Sequence, residues 1–140
     1  MATKPCVFCN IVRGSMPAHV VLDEPHAMAF LDHRPLFPGH CLLVPRGHVE
    51  VLTELPAELV GPLFTSAQRL ARAVEASLGA EGTFVAMNNR VSQSVPHLHV
   101  HVVPRRKKDG LKGFFWPRHP YANEGEMIAV KEALLAGLSV

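Results

Sequence analysis

Short apolar segments alternate with turn-forming residues along the first half of the chain. Three blocks rich in β-branched or apolar residues are separated by Pro25 and by RPLFPG; they span residues 19–24, 26–33 and 40–46. Proline and glycine favour turns, so these blocks predict three strands of a meander. Residues 83–89 (TFVAMNN) predict a fourth strand, and residues 94–105 (SVPHLHVHVVPR) a fifth.

Two other segments have the periodicity of helices. Between Glu54 and Leu78 apolar residues recur every three or four positions, which predicts an amphipathic helix that ends at Gly79. Gly61 and Pro62 lie inside this segment, so we expect either a kink or a helix that begins near Pro62. A second stripe predicts a terminal helix; its members are Met127, Val130, Leu134 and Leu138.

The order of these elements predicts an α+β fold. Successive strands with one long helix inserted and one helix at the end favour an antiparallel sheet of about five strands with helices packed on one face. Residues 106–123 predict an irregular loop between the last strand and the terminal helix. A chain of 140 residues without repeats is expected to form one domain over residues 1–140.

Composition narrows the classes of partner. The chain is 48% hydrophobic and 19% charged, and it has no apolar run long enough to span a membrane and no signal peptide, so we expect a cytoplasmic protein. A net charge of +2 is too small to predict binding of nucleic acid. The basic run PRRKK (104–108) predicts either a solvated surface or a lip that attracts a phosphate group.

Histidine occupies every second position of the fifth predicted strand. His97, His99 and His101 would share one face, while Leu98 and its apolar neighbours would share the other. We expect the apolar face to lie under helices and the histidine face to be open to solvent. Small polar residues precede the histidines and are suited to bind phosphate or ribose oxygens; they are Asn88, Asn89, Ser92, Gln93 and Ser94.

Three segments resemble the histidine triad (HIT) family of nucleotide-binding enzymes, in that family's order. They are CVFCNIVRG, AFLDHRPLFPGHCLLVPRGHV and QSVPHLHVHVVPR, and together they cover most of residues 6–105. The last contains the family signature of alternating histidines followed by two apolar residues. The resemblance implies a HIT-like sheet, a nucleotide hydrolase or transferase, and a homodimer formed by joining two sheets.

The resemblance also implies a role for each residue of the site. His99 would attack the α-phosphorus and form a nucleotidyl-histidine intermediate, because a neutral imidazole is a competent nucleophile near pH 7. His101 and Ser94 would donate hydrogen bonds to the phosphate or the leaving group. The implied substrate-binding residues are Asp32 on the ribose, His33 beside the nucleoside, His40 behind the triad, and Gln93 on the phosphate. Residues 88–93 are about two positions shorter than in many members, with Ser92 where glycine is common, so an amide contact could fall on Asn88 or Asn89.

Cys6 and Cys9 alone offer only two of the four ligands that zinc requires, so a reducible pair or two buried thiols are open alternatives. Three cysteines in a reducing compartment argue against a disulfide framework. A zinc-bearing branch of the family adds a histidine like His48 and the first triad histidine, His97. The resemblance therefore implies a closed, structural zinc site.

The substrate class has two candidates within the enzymes. An adenosine-type nucleoside monophosphate could be joined to an amine, as in a phosphoramidate, or to further phosphates, as in a dinucleoside polyphosphate; Lys107, Lys108 and Arg118 favour the second. A nucleotide-binding or scaffolding protein with little turnover is the alternative from another class. Trp116 is expected to pack under the terminal helix rather than to stack on a base.

Overall fold

A computed structural model describes residues 5–112 and 117–139. The chain divides into two compact units, Met1–Asp109 and Gly110–Val140. The first unit contains a five-stranded antiparallel sheet with the strand order β1-β2-β3-β5-β4. Its elements are α1 (Val7–Val12), β1 (Val20–Asp23), β2 (Ala27–Leu31), β3 (Cys41–Pro45), a short 3-10 helix (Leu52–Glu54), α2 (Ala57–Leu78), β4 (Gly82–Ala86) and β5 (Val100–Arg105). The predicted α+β class and the antiparallel sheet are confirmed.

Helix α2 covers one face of this sheet. Its buried stripe packs with apolar residues of the strands in one core cluster; the stripe consists of Leu63, Ala67, Leu70 and Val74. The helix begins at Ala57, so the alternative of a start near Pro62 is wrong. Pro62 lies in the second turn, where the ring removes one donor from the helix. The helix ends as predicted, because Gly79 adopts a left-handed conformation (φ 64°) that terminates it.

Helix α1, which the sequence analysis did not predict, covers part of the opposite face. Phe8 and Ile11 pack into a second core cluster; its strand residues are Met28, Phe30, Leu42 and Val44. A helix of six residues is too short to show a periodic apolar pattern, and this explains the omission. The histidine face is therefore not open to solvent along its whole length.

The histidines lie at the beginning of β5 rather than in its middle. Only His101 belongs to the strand, where it pairs with Leu42 of β3. Directly opposed residues of an antiparallel pair point to the same face, so His101 shares the face of the α1 cluster. His97 and His99 precede the strand, because the N–H of Leu98 bonds the carbonyl of Val49 (2.8 Å) instead of a residue of β3. The prediction of a strand from residue 94 is wrong for its first part.

The second unit contains the predicted terminal helix, α3 (Glu124–Leu138). The Asn123 side chain caps it by accepting a hydrogen bond from the N–H of Glu126 (2.9 Å). Residues 106–112 and 117–123 contain neither helix nor strand, in agreement with the predicted loop. Trp116 lies outside the described residues, and the assignment of residues 1–140 to one domain stays a prediction. Within the described ranges, no helix is long and apolar enough to cross a membrane.

Candidate active site and metal centre

His97 is fully buried, and its surroundings define which nitrogen carries the proton. Nε2 lies 2.9 Å from the carbonyl oxygen of Pro45, the last residue of β3. A carbonyl only accepts, so Nε2 donates and Nδ1 is left with a free lone pair. That lone pair faces two sulfur atoms, Cys6 Sγ at 3.4 Å and Cys9 Sγ at 3.5 Å. Burial lowers the pKa of His97, which favours the neutral ring that binds metals.

Four side chains converge here with the spacing of a zinc site. The ligand atoms of Cys6, Cys9, His48 and His97 all lie within 4.8 Å of one another, and Cys9 Sγ is 3.3 Å from His48 Nδ1. In tetrahedral zinc with Zn–S of about 2.3 Å and Zn–N of about 2.05 Å, sulfur and nitrogen are about 3.6 Å apart. The sulfur–nitrogen distances of 3.3, 3.4 and 3.5 Å in this group are close to this value. The donor set therefore fits zinc.

The two cysteines owe their proximity to the start of α1. Cys6 is the N-cap, and its sulfur accepts a hydrogen bond from the N–H of Cys9 one turn later (3.4 Å). Burial, followed by the hydrogen bond with Cys6, raises the pKa of the Cys9 thiol. A bound cation opposes such a shift, because it stabilises the thiolate.

His99 is held in the opposite tautomer from His97. Its Nδ1 lies 2.7 Å from the carbonyl oxygen of His97, so Nδ1 carries the proton and Nε2 has a free lone pair. The edge of the Phe8 ring packs on the imidazole, with centroids 5.1 Å apart. Only 4% of His99 is exposed. A side chain with a bare nitrogen held in a fixed orientation is the arrangement that a nucleophile requires.

A chain of hydrogen bonds sets the tautomer of His101. The N–H of Leu36 donates to His40 Nδ1 (3.1 Å), so neutral His40 carries its proton on Nε2. His40 Nε2 is 2.9 Å from His101 Nδ1 and donates to it. His101 is therefore left with an N–H at Nε2, next to the imidazole of His99, whose centroid lies 5.0 Å away. The site combines a bare nitrogen and a donor nitrogen side by side.

Burial keeps both members of this chain neutral. The pKa of His101 is lowered to about 4, first by burial and then by the neighbouring His99 and His40. Burial also lowers the pKa of His40, although the Asp32 carboxylate partly opposes the shift. Both rings are consequently uncharged at neutral pH, as the donor and acceptor assignments require.

Asp32, His40 and His101 form a second group whose ligand atoms lie within 4.8 Å of one another. A metal on His40 Nε2 would force the proton onto Nδ1, where it would oppose the N–H of Leu36. At His97 the corresponding backbone group is a carbonyl, which supports metal binding by Nδ1 instead. The backbone partner thus distinguishes a hydrogen-bonded group from a metal site.

His99 and His101 face a cavity of about 580 Å³. Its polar lining includes Asp32, His33, Ser94, His99 and His101. Its apolar lining comes from α1, β2, β3 and the segment between α1 and β1, and includes Phe8, Ile11, Met16, Phe30 and Leu42. Asp32 Oδ1 accepts the N–H of Arg34 (2.9 Å), so Asp32 is a turn residue as well as part of the cavity wall. His40 is buried behind His101, as expected.

Four predicted substrate-binding residues are placed elsewhere. Asn88, Asn89, Ser92 and Gln93 do not line this cavity. Asn89 Oδ1 accepts the N–H of Leu52 (2.7 Å), and Gln93 Nε2 donates to the carbonyl of Glu50 (2.6 Å). Asn88 Nδ2 donates to the carbonyl of Ser92 (3.2 Å), whose φ of 59° is in the region that favours glycine. The side chains of Asn88, Asn89 and Gln93 thus bond backbone groups in and around the loop that precedes Ser94.

The basic run after β5 does not form a lip around the histidines. Arg105 is four residues beyond His101, which corresponds to about 13 Å along a strand. Its Nε is 2.6 Å from Asp109 Oδ2. The N–H of Lys107 bonds Glu81 Oε1 (2.9 Å), and Arg106 bonds the carbonyl of Leu78 at the end of α2. These contacts favour the solvated surface over the lip for Arg105, Arg106 and Lys107, and a role of the run in phosphate binding stays a prediction.

Sequence reasoning missed Phe8, which contacts the rings of both His97 and His99. Its position between the two cysteines, three residues before Ile11, was the available signal. It also missed a histidine–serine group under α2. His26 Nε2 contacts Ser66 Oγ (3.0 Å) and the carbonyl of Pro62 (3.1 Å). Because that carbonyl requires Nε2 to donate, His26 is not a base for Ser66, and Ser66 is only 1% exposed.

Comparison with known proteins agrees with this geometry. The sequence profile of the HIT domain matches residues 13–108, which is more than half of the chain. The chain belongs to the HIT family. A HIT-like protein of Mycobacterium tuberculosis is 39% identical to it over 121 residues, covering 83% of this chain and 84% of that protein.

Two further relatives concern activity and metal. An adenosine 5'-monophosphoramidase of Schizosaccharomyces pombe is 32% identical to this HIT protein over 133 residues, covering 90% of this chain and 97% of the yeast protein. A zinc-bound histidine triad family protein of Mycobacterium smegmatis has a crystal structure that superimposes with a TM-score of 0.73 at 38% identity, covering 96% of this chain and 95% of that one. Family membership with relatives of this kind supports an enzyme in general terms and a metal-binding Cys and His group.

Proposed function

We propose that this HIT protein hydrolyses adenosine 5'-phosphoramidates through a nucleotidyl-histidine intermediate on His99. The observation that carries the proposal is the hydrogen bond between His99 Nδ1 and the His97 carbonyl (2.7 Å), which leaves Nε2 bare inside the cavity. The similarity to the yeast monophosphoramidase supports the same substrate class.

In the first step the lone pair of His99 Nε2 attacks the α-phosphorus and the phosphorus–nitrogen bond breaks. The leaving amine takes the bond pair and needs a proton. His101 Nε2–H lies beside the attacking ring and is placed to donate to that nitrogen or to a phosphate oxygen. A bound phosphoryl anion opposes the lowering of the His101 pKa, so His101 can gain a proton as substrate binds. In the second step water attacks phosphorus, the phosphorus–Nε2 bond breaks and its electron pair returns to His99, and the proton of the water passes to the His101 nitrogen that gave one up, which releases the nucleoside monophosphate and free His99.

The rest of the cavity suits a nucleoside. Asp32 Oδ1 accepts the N–H of Arg34, and Oδ2 lies 3.7 Å from His40 Nε2, which is longer than a hydrogen bond, so Oδ2 can still accept the ribose hydroxyls. The apolar wall that includes Phe8, Ile11 and Phe30 is suited to a planar base. Ser94 lines the same cavity as His99 and His101, which supports a role for its hydroxyl as a donor to the phosphate. Asn88, Asn89, Ser92 and Gln93 would act indirectly, by shaping the loop before Ser94.

The location of the basic residues favours the phosphoramidate over the dinucleoside polyphosphate. The Arg105 guanidinium pairs with Asp109 and the Lys107 ammonium lies 3.9 Å from Glu81 Oε2, and both contacts lie at the end of β5 opposite to the one that carries His101, which supports the smaller substrate. We therefore expect higher kcat/KM for adenosine 5'-phosphoramidate than for diadenosine polyphosphates. Release of adenosine monophosphate from both, measured by chromatography, tests this order.

The alternative is a nucleotide-binding protein with little turnover. A protein of this kind would bind adenosine monophosphate but would leave no label on His99. We expect a rapid acid quench after mixing with labelled phosphoramidate to trap acid-labile label on the protein, and we expect none on His99→Ala. Binding with neither label nor turnover would establish the alternative.

We further propose that Cys6, Cys9, His48 and His97 hold structural zinc. All four ligands come from the protein, so no position remains for water, and zinc would stabilise the junction of α1 with the sheet. About one zinc per chain is expected in protein purified under reducing conditions, and Cys9→Ser should lose it together with several kcal/mol of stability. The proposal would be contradicted if freshly reduced protein contained no zinc and the Cys9→Ser variant were as stable as the parent.

We also propose a homodimer that joins two sheets, as the family resemblance implies. Strand β4 is an edge of the described sheet, and Val85 on it is exposed next to Phe64 of α2. Both residues line a shallow cavity of about 440 Å³. Sedimentation equilibrium should give twice the chain mass, and Phe64→Asp should give monomers. A monomeric parent protein at micromolar concentration would refute the dimer.

A further inference from the structure

Three groups of contacts meet at His97, and they link the metal centre to the nucleophile. Both nitrogens of its ring have partners. Nδ1 faces the sulfur atoms of Cys6 and Cys9, and Nε2–H donates to the carbonyl of Pro45. Its own carbonyl accepts the proton of His99 Nδ1 at 2.7 Å. One residue therefore serves as a metal ligand with its side chain and as the tautomer-fixing acceptor with its backbone.

The peptide unit that carries this carbonyl is held at its other end as well. The N–H of Leu98 belongs to the same planar unit and bonds the carbonyl of Val49 (2.8 Å). Val49 directly follows His48, the ligand whose Nδ1 is 3.3 Å from Cys9 Sγ. Since the C=O and the N–H of a trans peptide point in opposite directions, holding Val49 also orients the carbonyl toward His99.

A second connection runs through α1. Phe8 lies between Cys6 and Cys9 in the sequence, and its ring packs on His97 (centroids 5.9 Å apart) and on His99 (5.1 Å). The helix has only six residues, so its own backbone hydrogen bonds contribute little stability and its position depends on tertiary contacts. Metal ligation by Cys6 and Cys9 would thus also hold Phe8 against the nucleophile.

We propose that the metal centre positions the nucleophile: Cys6, Cys9 and His48 hold His97 so that its carbonyl keeps His99 in the tautomer with a bare Nε2. These four residues are positioning residues and do not touch the substrate. The inference rests on the proposed function for the role of His99 in turnover. It does not need that function for the effect on the His99 ring, which is measurable without substrate.

The test uses the full-length chain labelled with 15N-histidine. Two-bond proton–nitrogen NMR spectra distinguish a ring protonated on Nδ1 from one protonated on Nε2. With zinc bound, His99 should give the pattern of a single Nδ1–H tautomer. After removal of zinc by a chelator under reducing conditions, the pattern should average between the two tautomers, and kcat for adenosine 5'-phosphoramidate should fall at least tenfold while KM changes less than threefold. Added zinc should restore both.

A matched variant separates positioning from general stability. Ile11→Ala weakens the packing of α1 on the sheet but removes no ligand. It should lower the melting temperature and leave the His99 tautomer single. If the zinc-free chain unfolds, the His48→Gln variant replaces it, because this variant keeps both thiols and His97. Its His99 tautomer pattern is then followed as zinc is added, and it should become single as zinc binds.

Two results would overturn the proposal. One is a folded zinc-free chain in which His99 keeps its single tautomer. The other is an Ile11→Ala variant whose His99 pattern averages as much as that of the zinc-free chain. If the zinc-loaded protein shows no turnover of any phosphoramidate, the proposed function fails, whereas the NMR result still decides whether the metal centre positions His99.

Discussion

The hydrogen bonds from Leu36 to His40 and from His40 to His101 predict a lower kcat for the His40→Phe variant. Phenylalanine keeps an aromatic ring at a site where histidine is only 3% exposed, but it cannot accept the N–H of Leu36 or donate to His101 Nδ1. His101 then loses the donor that places its proton on Nε2. A hydrogen bond to the reacting group is worth about 1–2 kcal/mol, which corresponds to a decrease in kcat of about 5- to 30-fold.

The same change should also destabilise the fold. Two buried polar groups lose their partner at about 1–3 kcal/mol each, partly offset by the apolar ring, so the free energy of unfolding should fall by about 2–4 kcal/mol. The assay is release of adenosine monophosphate from adenosine 5'-phosphoramidate at saturating substrate, with affinity for adenosine monophosphate measured by calorimetry. Affinity should change less than about threefold, because the cavity wall is intact.

His26→Phe is the matched control, because His26, like His40, bonds one side chain and one backbone group, but it belongs to the group under α2. It should lose stability and keep kcat within twofold. A His40→Phe variant that is destabilised but retains kcat within twofold of the parent would refute the argument that His40 sets the tautomer of His101.

Three further predictions concern the nucleophile, the ribose contact and pH. His99→Ala should lower turnover at least about a thousandfold while adenosine monophosphate still binds, since only the attacking nitrogen is lost; stopped assays and calorimetry measure both, and near-normal turnover would place the nucleophile elsewhere. Asp32→Ala should weaken nucleotide binding by about 1.5–3 kcal/mol. Unchanged affinity by calorimetry would show that Asp32 serves only the turn, through its hydrogen bond with the N–H of Arg34. The unfolded chain takes up a proton on His101 near pH 6.5 and the folded chain only near pH 4, so the free energy of unfolding should fall as pH drops through this window. Urea denaturation should show a lower free energy of unfolding at pH 5 than at pH 7, and this difference should be smaller in His101→Gln. An equal difference in the variant would contradict the lowered pKa of His101 as its cause.

Much of the first unit was predictable because its patterns are local. The strands between residues 19 and 46 are marked by proline and glycine, and α2 is marked by a long apolar stripe, so their order predicts the sheet. Helix α1 was not predictable in this way, since six residues show less than two turns of pattern. The histidine pattern predicted a shared face but gave the wrong burial, because it contains no information about the helix that covers it.

The residue types of the site were likewise present in the sequence, whereas their protonation was not. Alternating histidines, a cysteine pair and an acidic residue before a turn identify candidates by chemistry and, through the family resemblance, by role. Which nitrogen of each ring is free depends on a carbonyl of Pro45 for His97, a carbonyl of His97 for His99, and an N–H of Leu36 for His40. Almost every residue has the same backbone N–H and C=O groups, so the sequence does not indicate which of them will contact a given ring. Only the tertiary structure, which brings a particular donor or acceptor to each ring, decides which nitrogen of each histidine carries the proton, and the proposed roles of the three triad histidines follow from that.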